Sequence, residues 1–191
     1  MSTPLRVARP GAAVAAAVAP RAPTGAAAPG RRLVVGIGEF AVSNGPEDLI
    51  VTHALGSCVS VTVADPVVGV AGLIHVLLPD SKINPQRAAE QPAAFADTGL
   101  PIFVQQAVDR GLVKKRAVVT LAGGAEIANA GGAGTFNIGK RNILAVKNLL
   151  WKLGLLIKAE SVGGTAVRTV HLSVGTGRVK VTSGTLGVLE L

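Results

Sequence analysis

The sequence predicts a mixed α+β sandwich, and three observations support this fold class. Short runs of β-branched residues recur along the chain with turn-forming residues between them, as strands do. Several runs follow one another as hairpins, without the strict strand–helix alternation of a doubly wound parallel sheet. Two longer segments carry apolar residues at helical spacing. The chain has 191 residues, 49% of them hydrophobic, which is enough to bury a core.

The strands are predicted from runs of Val, Ile, Leu and Thr that end at Gly, Pro, Asn or Asp. The segment 58–64 alternates towards Val at every second position, which suits a strand with one packed face. The next run is stopped by Pro79, and the segment 82–95 is predicted to be a loop. The predicted strands cover residues 33–37, 49–52, 58–64, 70–78, 117–121, 155–159, 169–174 and 178–182.

Two helices are predicted from their apolar spacing and from their end signals. Asp97 and Thr98 are suitable caps for a helix that runs to Arg110. The second helix runs from about residue 139 to residue 153, and Gly154 ends it. These helices are expected to flank the sheets.

The first 32 residues form a separate segment rich in Ala, Pro and Arg. Recurrent Pro prevents a long helix, and Ala methyl groups bury too little area to offset the chain entropy. We therefore expect a flexible extension at 1–32 and a single domain at 33–191. A targeting peptide is the alternative, although its apolar stretch lacks Leu and Phe and is broken by Pro20.

Charge and composition exclude several classes of function. Five of the positive charges lie among residues 1–32, which leaves +3 of the net charge of +8 for the rest of the chain. With only 3% aromatic residues, this balance argues against nucleic-acid binding. One cysteine excludes an internal disulfide or a multi-cysteine metal site, and it favours a reducing, cytoplasmic compartment. No apolar run is long enough to predict a membrane-spanning helix.

Cys58 and His75 are the strongest candidates for chemistry. If Asp65 and Val68 flank the turn between their strands, Cys58 lies directly opposite His75 on the same face. A nearby imidazole can take the thiol proton and hold a thiolate that attacks a carbonyl carbon. In the alternative interpretation both residues are only structural, a small buried cysteine beside a buried histidine. A hydrolytic role also requires that the sulfur be open to an incoming side chain.

Three neighbouring residues complete this hypothesis. Gly56 and Ser57 form a tight loop just before the thiol, and their backbone N–H groups could hold an oxyanion. The hydroxyl or carbonyl of Thr52 could accept from the imidazole's other N–H and fix its tautomer. His53 and His171 are competing bases without a simple pairing geometry that reaches the thiol. Scattered histidines with no carboxylate cluster predict no metal site.

The segment 134–141 matches the spacing of a phosphate-binding loop up to Lys140, but Arg141 stands where Ser or Thr would hold Mg²⁺. Several residues also separate the segment from the preceding strand. We expect a structural loop whose glycines allow close backbone approach, with Asn137 capping the following helix. Nucleotide binding is the weaker alternative.

Read together, these motifs resemble the chemoreceptor glutamine deamidase (CheD) family. The resemblance extends from about residue 34 to residue 181, and the order and spacing of its pieces make it specific. Its pieces are Val35-Gly36-Ile37-Gly38-Glu39, Val51-Thr52, Leu55-Gly56-Ser57-Cys58, Asp65-Pro66, His75, Leu78-Pro79, Ala96-Asp97-Thr98, Gly123-Gly124-Ala125, Asn137-Ile138-Gly139-Lys140-Arg141-Asn142, Ala159-Glu160 and Val162-Gly163-Gly164.

The resemblance implies a cofactor-free cysteine hydrolase of bacterial chemotaxis with an α/β/β-layered fold. Cys58 would be the nucleophile, His75 the base and Thr52 the orienting residue. The substrates implied are glutamine side chains of chemoreceptors, and some members also hydrolyse receptor methyl esters. The partner implied is a CheC-type phosphatase.

Two features depart from the family pattern. Thr165-Ala166-Val167 replaces the Asn-His-Gly that usually precedes the arginine, and the extension at 1–32 is not part of the pattern. A non-catalytic adaptor that binds receptors or the phosphatase is therefore the alternative function.

Overall fold

The computed structural model describes residues 30–126 and 137–191. Most of the predicted extension at 1–32, and the first three residues of the phosphate-loop-like segment 134–141, lie outside the described residues. The boundary between extension and domain stays a prediction.

Ten strands and three α-helices make up the described chain. The strands are β1 (Arg32–Val34), β2 (Phe40–Ser43), β3 (Leu49–Leu55), β4 (Val59–Asp65), β5 (Val70–Val76), β6 (Val118–Gly123), β7 (Ile157–Val162), β8 (Arg168–Ser173), β9 (Val179–Ser183) and β10 (Gly187–Glu190). The helices are α1 (Pro85–Glu90), α2 (Ala96–Asp109) and α3 (Ile138–Lys152). None of these helices is long and apolar enough to cross a membrane.

The strands form two five-stranded sheets. The central sheet has the order β2-β5-β4-β6-β7, and the outer sheet has the order β1-β3-β8-β9-β10. Each sheet contains one parallel pair, β6 with β7 and β1 with β3, while the other pairs are antiparallel. Both sheets are therefore mixed, as predicted.

Two hydrophobic clusters separate the layers. On one face of the central sheet, Val61 and Ile74 pack with Phe103 of α2 and Leu150 of α3. On the other face, residues of the central sheet such as Leu73 pack against the outer sheet. The order of layers is thus helices, central sheet, outer sheet, which confirms the expected α/β/β sandwich.

The β4–β5 hairpin does not have the predicted register. Its loop has four residues, because Asp65 pairs with Val70 and Gly69 takes a positive φ of 66°. Ser60, and not Cys58, therefore pairs with His75. The error is two residues, which equals the side-chain period of a strand, so Cys58 and His75 still face the same side.

Several predicted elements differ from those observed. The segment 82–95 contains the short helix α1 and was wrongly predicted as a loop, and strands β2 and β10 were missed. Helix α2 begins one residue before the proposed caps. Asp97 instead accepts from the backbone and hydroxyl of Ser81, and Thr98 donates to the carbonyl of Pro92.

Candidate active site

Thr52 and His75 meet between the two sheets. Thr52 lies on β3 of the outer sheet and His75 on β5 of the central sheet, and both side chains are buried. The Thr52 Oγ1 atom lies 2.7 Å from His75 Nδ1. The two residues are therefore joined across the layers through the Thr52 hydroxyl, one of the two groups predicted to orient the imidazole.

The tautomer of His75 follows from the second contact of Thr52. Its hydroxyl donates its only proton to the carbonyl of Val35, at 2.7 Å. The hydroxyl oxygen must then accept from His75, so Nδ1 carries the imidazole proton. Consequently Nε2 is the unprotonated nitrogen, and within the described part of the chain it has no hydrogen-bond partner.

Burial keeps His75 neutral. Desolvation lowers the pKa of its imidazole from 6.5 to about 4, because the charged form loses hydration in this environment. At neutral pH the ring is therefore an uncharged base whose free lone pair is on Nε2.

Cys58 lies in the same interlayer cluster as Leu73 and Ala71, two residues of β5 on the His75 face. No hydrogen bond joins its sulfur to His75 among the described residues. Burial raises the pKa of the thiol, an effect opposed by the residue's own backbone N–H. At rest the thiol and the imidazole are thus both neutral, and the thiolate expected as the attacking species forms only when the imidazole takes the thiol proton.

The site is nearly closed. Cys58 is 7% exposed and His75 is 1% exposed, so the expectation of an open sulfur was wrong for this conformation. A substrate side chain can reach the sulfur only if neighbouring groups move.

The loop before Cys58 is fixed by hydrogen bonds that its backbone carbonyl oxygens accept. Gly56 O accepts from Ala125 N, Cys58 O accepts from Gly124 N, and Ser57 O accepts from the side chain of Asn142. Among the described contacts, none uses the N–H groups of Gly56, Ser57 or Cys58 as donors to another residue. The described contacts therefore leave these three N–H groups without an acceptor on another residue.

Two glycines allow close backbone approach around this loop. A Cβ on Gly123 would lie 2.3 Å from the carbonyl oxygen of Cys58, and a Cβ on Gly139 would lie 2.5 Å from that of Gly124. The end of β6 thus packs against the loop backbone, and the first turn of α3 packs against the backbone that follows β6, the close approach predicted for glycines of the segment 134–141. Asn137 occupies the N-cap position of α3, but its side chain makes no capping bond.

The other two histidines lie on the opposite face of the outer sheet. Because Thr52 points into the interlayer, its neighbour His53 points outward, where its ring lies 6.5 Å from that of His171. Neither reaches the thiol. The described residues contain no cluster of metal-ligating side chains.

Sequence reasoning missed the roles of two buried polar residues, Asn142 and Arg168. Asn142 binds two backbone carbonyls beside the site, and Arg168 binds Ser161, Gly163 and Ala166. Asn142 belongs to a motif quoted for the resemblance, but only the tertiary contacts reveal what either residue does.

Comparisons with known proteins find similarity to one family. The model of a family described as CheD chemotactic sensory transduction matches residues 77–183. A probable chemoreceptor glutamine deamidase CheD from Solibacter usitatus is 43% identical over 148 residues, covering 78% of this chain and 86% of the relative. A protein of the same description from Syntrophotalea carbinolica is 48% identical over 151 residues, covering 78% and 92%. Another from Pyrococcus abyssi is 39% identical over 151 residues, covering 79% and 91%.

Proposed function

The chain belongs to the CheD family and is a chemoreceptor glutamine deamidase, a hydrolase of amide C–N bonds, and we propose that Cys58, His75 and Thr52 are its catalytic machinery. Cys58 is the nucleophile, His75 is the general base and then the general acid, and Thr52 orients the imidazole. The reaction needs no metal or organic cofactor.

One observation carries this proposal. The bond between Thr52 and His75 leaves the lone pair of Nε2 free, on the interlayer face that also holds the chain's single thiol. Nucleophilic acyl transfer requires the base to come within hydrogen-bond reach of the thiol, and the placement of both groups on one face supports that step.

The proposed reaction starts from the neutral pair. Nε2 takes the thiol proton as the sulfur attacks the side-chain amide carbon of a receptor glutamine, and the C=O π electrons move to oxygen. N–H groups of the loop at Gly56, Ser57 and Cys58 stabilise that oxyanion. The imidazolium then returns its proton to the leaving nitrogen, and ammonia departs from a thioester.

Hydrolysis of the thioester completes the cycle. Nε2 removes a proton from water as the water oxygen attacks the thioester carbon, and the sulfur leaves and regains a proton. The receptor side chain is then a glutamate, and the enzyme is unchanged. General acid–base help of this kind contributes about 10²- to 10⁴-fold.

Further activities and partners belong to the same proposal. A receptor glutamyl methyl ester offers the same carbonyl chemistry with methanol as the leaving group, so methylesterase activity is a second reaction of this site. A CheC-type phosphatase is the proposed regulatory partner, and the cytoplasm is the proposed compartment. Nucleic-acid binding is not part of the function.

The test is mass spectrometry of receptor cytoplasmic fragments after incubation with the enzyme. Wild-type protein should add about one dalton at each modified glutamine and release ammonia, while Cys58→Ala should do neither and should melt within a few degrees of wild type. His53→Ala is the matched control, since His53 lies outside the site, and it should retain full activity. Turnover near wild type in Cys58→Ala would refute the nucleophile.

The nearly closed site favours one alternative function, a non-catalytic adaptor that docks on receptors or on the phosphatase. In that case wild type and Cys58→Ala would bind receptor fragments equally, and neither would release ammonia.

A further inference from the structure

Asn142 is a buried amide on α3 that contacts the candidate site from the helical layer. Its side chain is 0% exposed. The Nδ2 atom donates to Ser57 O and to Leu77 O, each at 2.9 Å. Both amide hydrogens are therefore used, and both are used on backbone carbonyls.

These carbonyls belong to the two segments that carry the proposed nucleophile and base. Ser57 directly precedes Cys58, and Leu77 follows His75 by two residues, just beyond the end of β5. A single side chain thus bridges the nucleophile loop and the base strand. No main-chain bond between these two carbonyls is possible, since both are acceptors.

The contact with Ser57 also fixes the direction of the next N–H group. The described chain has no cis peptide bonds, so the Ser57 carbonyl and the Cys58 N–H point in opposite directions from one peptide plane. Holding the carbonyl towards Asn142 therefore turns the Cys58 N–H away from α3. This N–H is one of the three loop donors with no described backbone acceptor.

The acceptor half of the same amide is unused among the described residues. Asn142 Oδ1 is buried and has no partner within the described residues, a state that costs free energy because the oxygen has lost its hydration. A leucine of similar size would avoid that cost. The structure at this position therefore depends on the two N–H donors of asparagine and not on its side-chain oxygen.

We propose that Asn142 is a positioning residue that sets the Ser57–Cys58 peptide plane, so that the Cys58 N–H faces the oxyanion. This inference rests on the proposed function, because it assigns the residue a task in the same reaction. Asn142 acts through Cys58 and does not touch the substrate.

The experiment compares two reactions of the same sulfur in Asn142→Leu and Asn142→Asp. Deamidation forms an oxyanion, whereas alkylation by iodoacetamide displaces iodide at a saturated carbon and forms none. Losing an oxyanion donor lowers kcat by about 10²- to 10³-fold, and a misaligned donor should lower it by about ten- to a hundredfold. KM and the alkylation rate should each stay within about threefold of wild type.

Thr98→Val is the matched control, because it also removes a side-chain bond to a backbone carbonyl, that of Pro92. It should leave kcat unchanged. A merely structural role for Asn142 would lower alkylation, kcat and thermal stability together, and that outcome overturns the proposal. Wild-type kcat in a folded Asn142 variant overturns it as well.

Failure to fold does not end the test. In the wild-type protein, a scalar coupling between the Asn142 Nδ2 nitrogen and the Ser57 carbonyl carbon should be visible by NMR, and its absence overturns the proposal. If wild-type enzyme releases no ammonia, the proposed function fails; if it does and the variants match it, only this inference fails.

Discussion

At the scale of single residues, the proton of the Thr52 hydroxyl leads to a first prediction. Because this proton goes to Val35 O, the hydroxyl oxygen holds His75 in the Nδ1–H tautomer. Thr52→Val removes the acceptor and frees the ring to place its proton on Nε2. We expect kcat to fall by about 10²-fold, the lower end of what a general base contributes, with little change in KM.

Thr52→Ser is the matched variant, since it keeps the hydroxyl and loses only a methyl group. It should recover most of the activity in the same steady-state ammonia assay. Equal kcat values for the Val and Ser variants would contradict the role of the hydroxyl.

The buried imidazole of His75 makes folding stability depend on pH. Its pKa falls from 6.5 to about 4 on folding, so between these values the unfolded chain binds more protons than the folded chain. The free energy of unfolding contributed by this group is therefore greatest above pH 6.5, declines as the pH falls, and is lower by about 3 kcal/mol below pH 4.

Urea denaturation at several pH values measures this effect. The difference in unfolding free energy between wild type and His75→Gln should shrink, or reverse, as the pH is lowered from 6.5 to 4. Carboxylates titrate in both proteins and cancel in the difference. A difference that is constant with pH would contradict the neutral buried histidine.

At the scale of elements, the contact between the end of β6 and the Cys58 loop depends on Gly123. An alanine Cβ there would lie 2.3 Å from Cys58 O, and the residue has a φ of 109°. Gly111 is a matched control, because its φ is 101° but nothing lies within 4 Å of the added Cβ. Backbone strain alone should cost about 1–3 kcal/mol at either position.

Gly123→Ala should therefore destabilise the protein more than Gly111→Ala does. The difference between the two losses of unfolding free energy measures the cost of the steric clash. Gly123→Ala should also lower kcat, because the Cys58 carbonyl must move. Urea denaturation and the ammonia assay measure the two effects. Equal losses of stability in the two variants would show that the segments are not in close contact.

The hairpin of β4 and β5 shows how far the sequence could predict the site. Alternation of Val identified the face of β4 that packs against the helices, but the other face is buried as well, because the outer sheet covers it. The turn was located correctly at Asp65–Gly69. The length of the loop was wrong, because proline and glycine mark a turn without fixing whether two or four residues form it. An error of two residues left Cys58 and His75 on one face, whereas an error of one would have separated them.

The contacts between layers could not be predicted in this way. Thr52 and His75 lie in different sheets, and their bond depends on how the sheets stack. The same is true of Asn142, which reaches Ser57 across 85 positions of sequence. Periodicity assigns a side chain to a face, but the partner on the facing layer depends on packing of the whole domain.

At the level of the domain, Arg168 links the two sheets by a hydrogen bond. It lies on β8 of the outer sheet, is 4% exposed, and donates to Ser161 Oγ on β7 of the central sheet. It also donates to the carbonyls of Ala166 and Gly163 in the connection between these strands. Burial lowers the pKa of its guanidinium, so these acceptors must compensate for lost hydration.

Arg168→Met should therefore leave three buried or partly buried acceptors unpaired and destabilise the protein by about 2–4 kcal/mol. Arg178→Met removes an exposed arginine and should change the stability by no more than about 0.5 kcal/mol. Chemical denaturation of both variants measures the difference. A stable Arg168→Met protein would mean that the sheets are held together without this residue.

Thr52 lies in the outer sheet, His75 in the central sheet and Cys58 in the loop that leads into the central sheet, so the proposed catalytic centre exists only while the two β layers stay docked. A small slip between them would disconnect the base from its orienting hydroxyl without melting a single strand. Catalysis should consequently disappear at urea concentrations where circular dichroism still reports intact secondary structure. Ammonia release then measures whether the two sheets remain packed together.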